Sequence, residues 1–583
     1  MNEKILSEVA SVQNFWRGRN TRIDALQQLV IDSRGSPGTP AATNANVEVF
    51  TGNDPATDMS LAVHLLSSIP LRHRIHVDPE DNNEQDMAGV SQRTLISLWE
   101  ELDDARLEAG RDSWLRELAF WLALTGWYAV MPRLEWDGVK PIGMAEIFEP
   151  KTIYPKYGEK GLSFLAHIYT TTLEIAREKA ETFGQKIIGR ESPQTTATIA
   201  NVWKRVDGEI TNQIILLSHK QMIRAEEKMP MKHIPFLTGP SGGFPRYASI
   251  PSEYTTSGSL LWANERVYRE LDRWRSFEKQ LVRDHAQAPY IASGINPDPE
   301  DNRKPDLFSQ PSILWTPNPN ARMSRVNVGG MPVDIQVIDA QYEAMKQRGT
   351  FSSLLFGDTA RDLAGFTVQQ LLGNAYHRLG PFKRVIERVV AKINREWLEG
   401  LGRKKTKIGI SGKLEHKYFR QEVNTGDLPE AYDLSVELKL ALPNDLITRI
   451  TIARNARGGN DPLLDLDTIL DEILEMQDPE LVKRRIAEDM AEADPTMLQL
   501  KKIISFKKRA NELRAEGKTD IADILDELTN SMLQQASGQN KGAQPRGAQG
   551  VSPEVLPPEA QGISPDLAQA ITSNTQTPSN VPA

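Results

Sequence analysis

The sequence predicts an α+β protein, and three observations carry that expectation. Two stretches, WYAVMPRLEW and Ile199 to Val206, each run into an Asp-Gly pair (Asp137-Gly138 and Asp207-Gly208) and resume as a second apolar run. Asp-Gly tolerates the positive φ of a tight hairpin, so both read as two-stranded units. Long segments, Arg93 to Leu124, Leu260 to Ala288 and Thr367 to Leu401, instead repeat their apolar residues at helical spacing. The chain has 583 residues, enough for about four compact units at roughly 150 residues each.

Taken in order, Asn2 to Val30 carries Ile5, Val9, Val12, Phe15, Trp16, Ile23, Leu26 and Val30 at helical spacing, and a Gly, Pro, Ser, Thr and Asn cluster follows from Ser33 to Asn46 as loop. An amphipathic stretch from Met59 ends at Pro70, Leu71 to Val77 alternates as a strand, and the acidic run Asp78 to Asp86 reads as loop. A short helix, Thr172 to Phe183, separates the two hairpins. Met1 to about Thr256 is therefore expected to be one mixed α+β unit.

The helical stretch from Leu260 to Ala288 puts Val267, Leu271, Trp274, Phe277 and Leu281 on one stripe, over about 43 Å at 1.5 Å per residue. The next segment, Pro289 to Pro332, holds eight prolines around short β-like runs such as SILWT, a composition that reads as loops on a small sheet. Helix returns from Val337 to Thr350, so a small extended insertion is expected at the end of two rods. The Gly-punctuated stretch Phe351 to Phe366 then opens the long helix from Thr367. Gly380-Pro381 is expected to interrupt and kink that helix, because proline lacks the backbone donor. Lys407 to Leu442 alternates as strands. Past Pro443 the pattern is helical, restarted by Asp461-Pro462, Asp478-Pro479 and Asp494-Pro495, where Asp caps free amides and Pro fits the first helical position. The last 48 residues, Ala536 to Ala583, hold seven prolines, five glycines and no aromatic residue, and are expected to be disordered.

Composition narrows the chemistry. Hydrophobic residues at 39% and charged residues at 25% support sizeable cores, and a net charge of −9 argues against a basic nucleic-acid coat. The absence of cysteine excludes disulfide scaffolds, thiol nucleophiles and cysteine-ligated metals. The start, MNEKILSEVA, lacks a signal-peptide pattern, and the longest apolar stretch, Leu118 to Val130, is too short for a bilayer, so an intracellular soluble product is expected.

Motifs that tempt an enzymatic reading fail on spacing. Gly517-Lys518-Thr519 lacks the glycine a phosphate loop needs, since position 512 is Glu. Gly239 to Gly243 matches Gly-x-Ser-x-Gly at Ser241, but Gly242, Gly243 and Pro245 oppose the helix a nucleophile elbow requires. His73 and His76 are three apart on the expected strand and point to opposite faces, which precludes a shared metal. The acidic clusters Asp78 to Asp86 and Asp298 to Asp301 lack calcium-loop spacing. The aromatics Trp262, Tyr268, Trp274 and Phe277 read as packing between rods rather than as base-stacking platforms. The segment Arg361 to Gly400 carries a local excess of +3, compatible with a phosphate-facing role or with a mixed solvated face. No catalytic residue, metal site or cofactor is expected.

The order of these parts resembles the portal protein, or head-to-tail connector, of tailed bacteriophages. The resemblance lies in KHIPFLTGPSGGFPR followed by SLLWANERVYRELDRWRSFEKQLVRDHAQAP, in FSSLLFGDTARDLAGF before the long helix, and in the segment beginning LPNDLITRITIARNARGGNDPLLDLDTIL. It covers most of Ala145 to Asp494. It implies an N-terminal wing (1–256), a first stem helix (257–288), a clip (289–333), a second stem helix (334–350), a tunnel loop (351–366), a wing helix with strands (367–442) and a helical crown (443–535), ahead of the tail (536–583).

The resemblance further implies a homo-oligomeric ring, usually of twelve subunits, at one capsid vertex of a virion assembled in a host bacterial cytoplasm. Double-stranded DNA would pass through its axis during packaging and ejection. Terminase and head-tail adaptor proteins would dock on the clip, with the major capsid and scaffold proteins as further partners and no membrane. Arg361, Asp362 and Phe366 become candidate channel residues by their position in the loop, with Gly357 and Gly365 as its pivots, and the stripe from Val267 to Leu281 becomes stem packing. Two alternatives remain: another capsid-associated protein, minor head or scaffold, and a nucleic-acid enzyme with cryptic carboxylates.

Overall fold

The computed structural model describes residues 3–34, 50–76, 82–159, 161–188, 191–242, 258–286, 290–293, 322–325, 333–351, 365–414, 417–428, 433–438, 446–457, 464–474, 482, 483, 486, 495–515 and 519–538. The chain is α+β and divides into two compact units, Met1–Ile452 and Ala453–Ala583.

In the first unit the expected N-terminal helix is two, α1 (Glu3–Phe15) and α2 (Arg17–Ser33). The break falls at Trp16, whose buried indole donates to the Pro155 carbonyl at 2.8 Å and meets Trp127 edge to face. Next come α3 (Asp54–Ser67), β1 (Arg72–His76), α4 (Asn82–Glu108) and α5 (Trp114–Thr125). Helix α4 starts at Asn82, so part of the acidic stretch read as loop is its first turn.

Both hairpins form: β2 (Trp127–Asp137) with β3 (Lys140–Ile147), and, beyond β4 (Ile153–Gly158), β5 (Gly161–Thr172) and α6 (Leu173–Thr182), β6 (Thr196–Val206) with β7 (Glu209–Leu216). Their turns differ. Val206 pairs with Glu209 across Asp207 and Gly208, both at positive φ (50° and 87°). In the first hairpin Asp137 is itself a strand residue paired with Lys140, and the turn is Gly138-Val139 with Gly138 at φ 60°. That shift follows from which residue must adopt positive φ, since glycine does so without a Cβ penalty.

Adding β8 (Gln221–Met229) completes an antiparallel sheet in the order β4-β5-β6-β7-β8, and β9 (Leu237–Pro240) joins β2 and β3 in a second. Strand alternation gives the five-stranded sheet two apolar faces. Ala166, Ile168, Ala200 and Val202 pack under Ile5, Val9 and Val12 of α1, while Ala197, Ile199, Ile214 and Leu216 pack under Leu173, Ala176 and Ala180 of α6.

A 3-10 turn, Leu260–Asn264, leads into α7 (Glu265–Ala286). The uninterrupted α-helix expected from Leu260 to Ala288 therefore begins five residues later. Ser259 caps the turn by accepting from the Leu261 amide at 3.2 Å, and Leu260 and Leu261 are buried in the main core. Strands β10 (Tyr290–Ser293) and β11 (Arg322–Arg325) pair antiparallel, and α8 (Val333–Gly349) follows. Helix α9 (Gly365–Lys404) then runs 40 residues as one element through Gly380-Pro381, without the expected interruption. Pro381 stands on the exposed side while Leu379 and Phe382 beside it are buried, so apolar anchoring holds the helix across the missing donor.

Strands β12 (Lys407–Leu414), β13 (Lys417–Asn424) and β14 (Asp433–Glu437) follow, and β14 pairs antiparallel with β1. One large core joins α2 to α5 and β1 to β3 with α9 and β12 to β14. Helix α9 supplies Leu379, Phe382, Ile386, Val389, Val390, Ile393, Trp397 and Leu401 to it, at about 1.5–3 kcal/mol per fully buried large side chain. At its centre Trp99 lies 4.8 Å from both Trp114 and Trp397. All three indoles donate: Trp99 to Asn394 Oδ1 (2.8 Å), Trp114 to the Ala145 carbonyl (2.7 Å) and Trp397 to the Arg133 carbonyl (3.0 Å).

In the second unit, Ala453 and Ala456 of α10 (Leu446–Arg457) pack with Ile469. Helices α11 (Pro495–Ala515) and α12 (Thr519–Gly538) form a hairpin around Ala510, Leu513, Ala522 and Leu525. Pro495 opens α11, as its pairing with Asp494 predicts. Helix α12 extends three residues past Gln535, and the rest of the expected tail, like Asp461-Pro462 and Asp478-Pro479, lies outside the described residues.

Candidate functional site

The two rods, α7 and α8, run antiparallel, since the start of α7 meets the end of α8. Asn264 donates to the Lys346 carbonyl at 2.6 Å, and Thr350 donates to the same oxygen at 3.1 Å. The approach is close enough that a Cβ on Gly349 would stand 1.8 Å from Asn264 Oδ1, so any side chain there must displace the Asn264 amide. At about 1.5 Å per residue, α7 is roughly 33 Å long.

The base of this pair is locked to α3 by charge. Lys346 lies 3.2 Å from Asp54 and 2.6 Å from Glu343, Arg275 lies 3.7 Å from Asp54, and Arg275 also pairs with Glu343. These side chains retain only about a quarter or less of their accessible surface, so solvent screens them less than a surface pair. Burial pulls the Lys346 pKa down, and the Glu343 and Asp54 contacts more than reverse it, leaving the group above its ordinary value. Asp272 accepts from the Gly52 amide at 2.7 Å, and its carboxyl is nonetheless raised, chiefly by burial.

Deeper in, Tyr268 is buried and donates its hydroxyl to Asp58 Oδ2. Burial pushes the Asp58 carboxyl up to about 6, while hydrogen bonds with Tyr268 and Thr350 pull it back. Burial and the Asp58 charge together hold the Tyr268 phenol far above its usual range.

Of the expected stripe, Leu271 is buried, Val267, Trp274 and Leu281 are half-buried, and Phe277 is exposed. Val282 on α7 and Val337 and Met345 on α8 are exposed as well. Trp274 and Phe277 meet edge to face at 6.2 Å, and the Arg22 guanidinium covers Trp262 at 5.0 Å. Gly357, Arg361 and Asp362 lie outside the described residues, and Gly365 and Phe366 are the first residues of α9. The sequence reading missed Asp54, Asp58, Asn264, Glu343 and Lys346. Asp58, standing among the apolar residues of α3, is the one with a local signal.

Burial accounts for the rejected serine motif and for one of the two histidines, while Gly517-Lys518 and Asp298 to Asp301 lie outside the described residues. Ser241 is fully buried, with its amide on the Gly126 carbonyl at 2.7 Å. His73 is buried and His76 exposed, as strand alternation predicts. Asn394 donates to His73 Nδ1 at 2.8 Å, because its oxygen already accepts from Trp99, and burial lowers the imidazole to about 4. Among the described residues, no group of three His, Asp or Glu is arranged to hold a metal ion, and no helix is long and apolar enough to cross a membrane.

No protein-family model and no curated protein matches the chain. Solved structures give distant likenesses. A chain in the neck of an empty gene transfer agent (GTA) particle computed with C6 symmetry is 11% identical at a TM-score of 0.37, covering 77% of this chain and 92% of that one. A chain in the neck of a native GTA particle computed with C12 symmetry is 11% identical at 0.33, covering 77% and 98%. A chain of the virion of a native gene transfer agent particle is 11% identical at 0.37, covering 77% and 99%.

Proposed function

We propose that the chain is a portal-type structural subunit of a phage-like particle. Copies form a ring, twelve in the assembled particle, at one capsid vertex, and double-stranded DNA passes along its axis during packaging and ejection. The observation that carries this reading is the α7–α8 pair. Its helices continue into the β10–β11 ribbon at one end and are clamped to α3 at the other, where α8 leads through residues 352–364 into the 40-residue α9. Phe277, Val282, Val337 and Met345 leave apolar surface on the pair, which side-by-side packing of copies in a closed ring would cover.

In this reading residues 351–366 reach the channel, with Arg361, Asp362 and Phe366 nearest the DNA and Gly357 and Gly365 as pivots. The β10–β11 end receives terminase and, later, head-tail adaptor proteins. The net charge of −9 suits a channel in which DNA must slide rather than bind. The role is mechanical and uses no catalytic group.

Negative-stain imaging with native mass determination tests this. The expected result is rings with a central channel near roughly 0.8 MDa, for twelve chains of 65.3 kDa. A chain that stays monomeric even when co-expressed with its cognate capsid and scaffold proteins overturns it.

A further inference from the structure

The hairpin of α11 and α12 is polarised in charge. Helix α11 carries six basic residues and one acidic, whereas α12 carries four acidic and no basic residue. Within the hairpin, Arg514 pairs with Asp523 at 2.8 Å and Asp526 at 2.6 Å near the turn.

Outside the shared core, α12 exposes three large apolar side chains and α11 exposes one, among the described residues. On α12, Ile521 (51% exposed), Ile524 (61%) and Leu528 (44%) follow at i, i+3 and i+7, with Asp520, Asp523 and Glu527 along one side. On α11, Ile504 is 63% exposed, with Lys501 three residues before it and Lys508 four after. At about 100° per residue, measured from buried Ala510 and Leu513 on one helix and Ala522 and Leu525 on the other, the two patches fall on opposite faces of the hairpin.

Two complementary patches on opposite faces of one body make a heterologous, head-to-tail contact, the type that closes rings. We infer that the acidic-apolar face of α12 docks on the basic-apolar face of α11 in a second copy of this chain. The inference rests on the ring reading and adds to it the surfaces by which the second units meet. Opposite charge across the contact sets its direction and disfavours pairing of like faces.

The absence of cysteine makes the test direct. In the full-length chain, the double variant Ile504→Cys/Ile524→Cys, treated with a short bis-maleimide, should give a ladder of covalent multimers on a denaturing gel. The positions are exposed, so the fold is retained, and they face opposite ways, so one chain cannot bridge itself. Neither single variant should cross-link. Rings of full mass without the ladder overturn the docking and leave the ring reading standing, whereas a monomeric chain overturns the ring itself. Cross-linking by Ile524→Cys alone means like faces meet and overturns the proposal. So does protection of that cysteine from alkylation that vanishes when residues 539–583 are deleted, since the occupant is then the chain's own tail.

Discussion

Tyr268 on α7 donates its hydroxyl to Asp58 on α3, a contact between residues 210 apart in the chain that fixes the first rod to the N-terminal helices. Tyr268→Phe removes the donor and leaves a buried carboxylate short of a partner, and should cost about 1–3 kcal/mol of stability. Asp58→Asn keeps an acceptor and removes the buried charge, so its cost at neutral pH should be smaller. The pH dependence checks the assignment. The Asp58 carboxyl is raised from 3.8 to about 6, so its protonated form is favoured by folding. That contribution is complete below pH 3.8 and is lost as the pH rises through 6. Melting temperatures of wild type and Asp58→Asn between pH 4 and 7 should therefore converge toward the upper end less than toward the lower, with the variant the flatter of the two.

Gly349→Ala should destabilise the base of the rods by about 1–3 kcal/mol, because the added methyl displaces the Asn264 amide. In the double variant Gly349→Ala/Asn264→Ala the clash is gone. The combined loss, measured by denaturant unfolding, should fall short of the two single losses added together. Strict additivity would show that the contact is not what constrains residue 349.

Acid should weaken the first unit through His73. Its imidazole is held neutral, with a pKa near 4 against 6.5, so the unfolded chain binds its proton first. The contribution is whole above pH 6.5 and is lost as pH falls toward 4, opposite in sign to that of Asp58. His73→Gln should lessen this acid sensitivity while Asn394 keeps a partner. An unchanged slope between pH 6.5 and 4.5 would assign the titration elsewhere, with His167, also lowered to about 4 by burial, the next to test.

On the proposed portal reading, shortening Ser352 to Gly365 should leave ring assembly intact and impair DNA packaging or retention. Those residues follow the last turn of α8 and precede the buried part of α9, so neither anchor is disturbed. Particle counts and packaged DNA length read the result, and loss of ring assembly would sink the channel assignment.

Much of the secondary structure was legible in the chain because the forces that set it are local. Asp207-Gly208 supplies two consecutive positive-φ residues, Thr172 caps α6 with its side chain, and α9 repeats its apolar residues every three or four positions. Where the reading slipped, a distant partner had intervened. Trp16 breaks a helix whose pattern runs on, because Pro155 accepts its indole proton. Pro381 fails to interrupt α9, because its neighbours are buried in a core contributed by other elements.

The N-terminal residues do not complete their own core. Strand β1 pairs with β14, and Trp99 and Trp114 close on Trp397, so α9 and the strands after it finish what the first half begins. The base of the rods is of the same kind. Hydrophobic period marks α3, α7 and α8 as helices, although α3 and α8 begin five and four residues before the stretch that the pattern indicated and α7 five residues after it. Only the tertiary structure decided that Asp54, Asp58, Asn264, Tyr268, Glu343 and Lys346 would meet, because each pairing spans tens to hundreds of residues and depends on packing that no local pattern encodes.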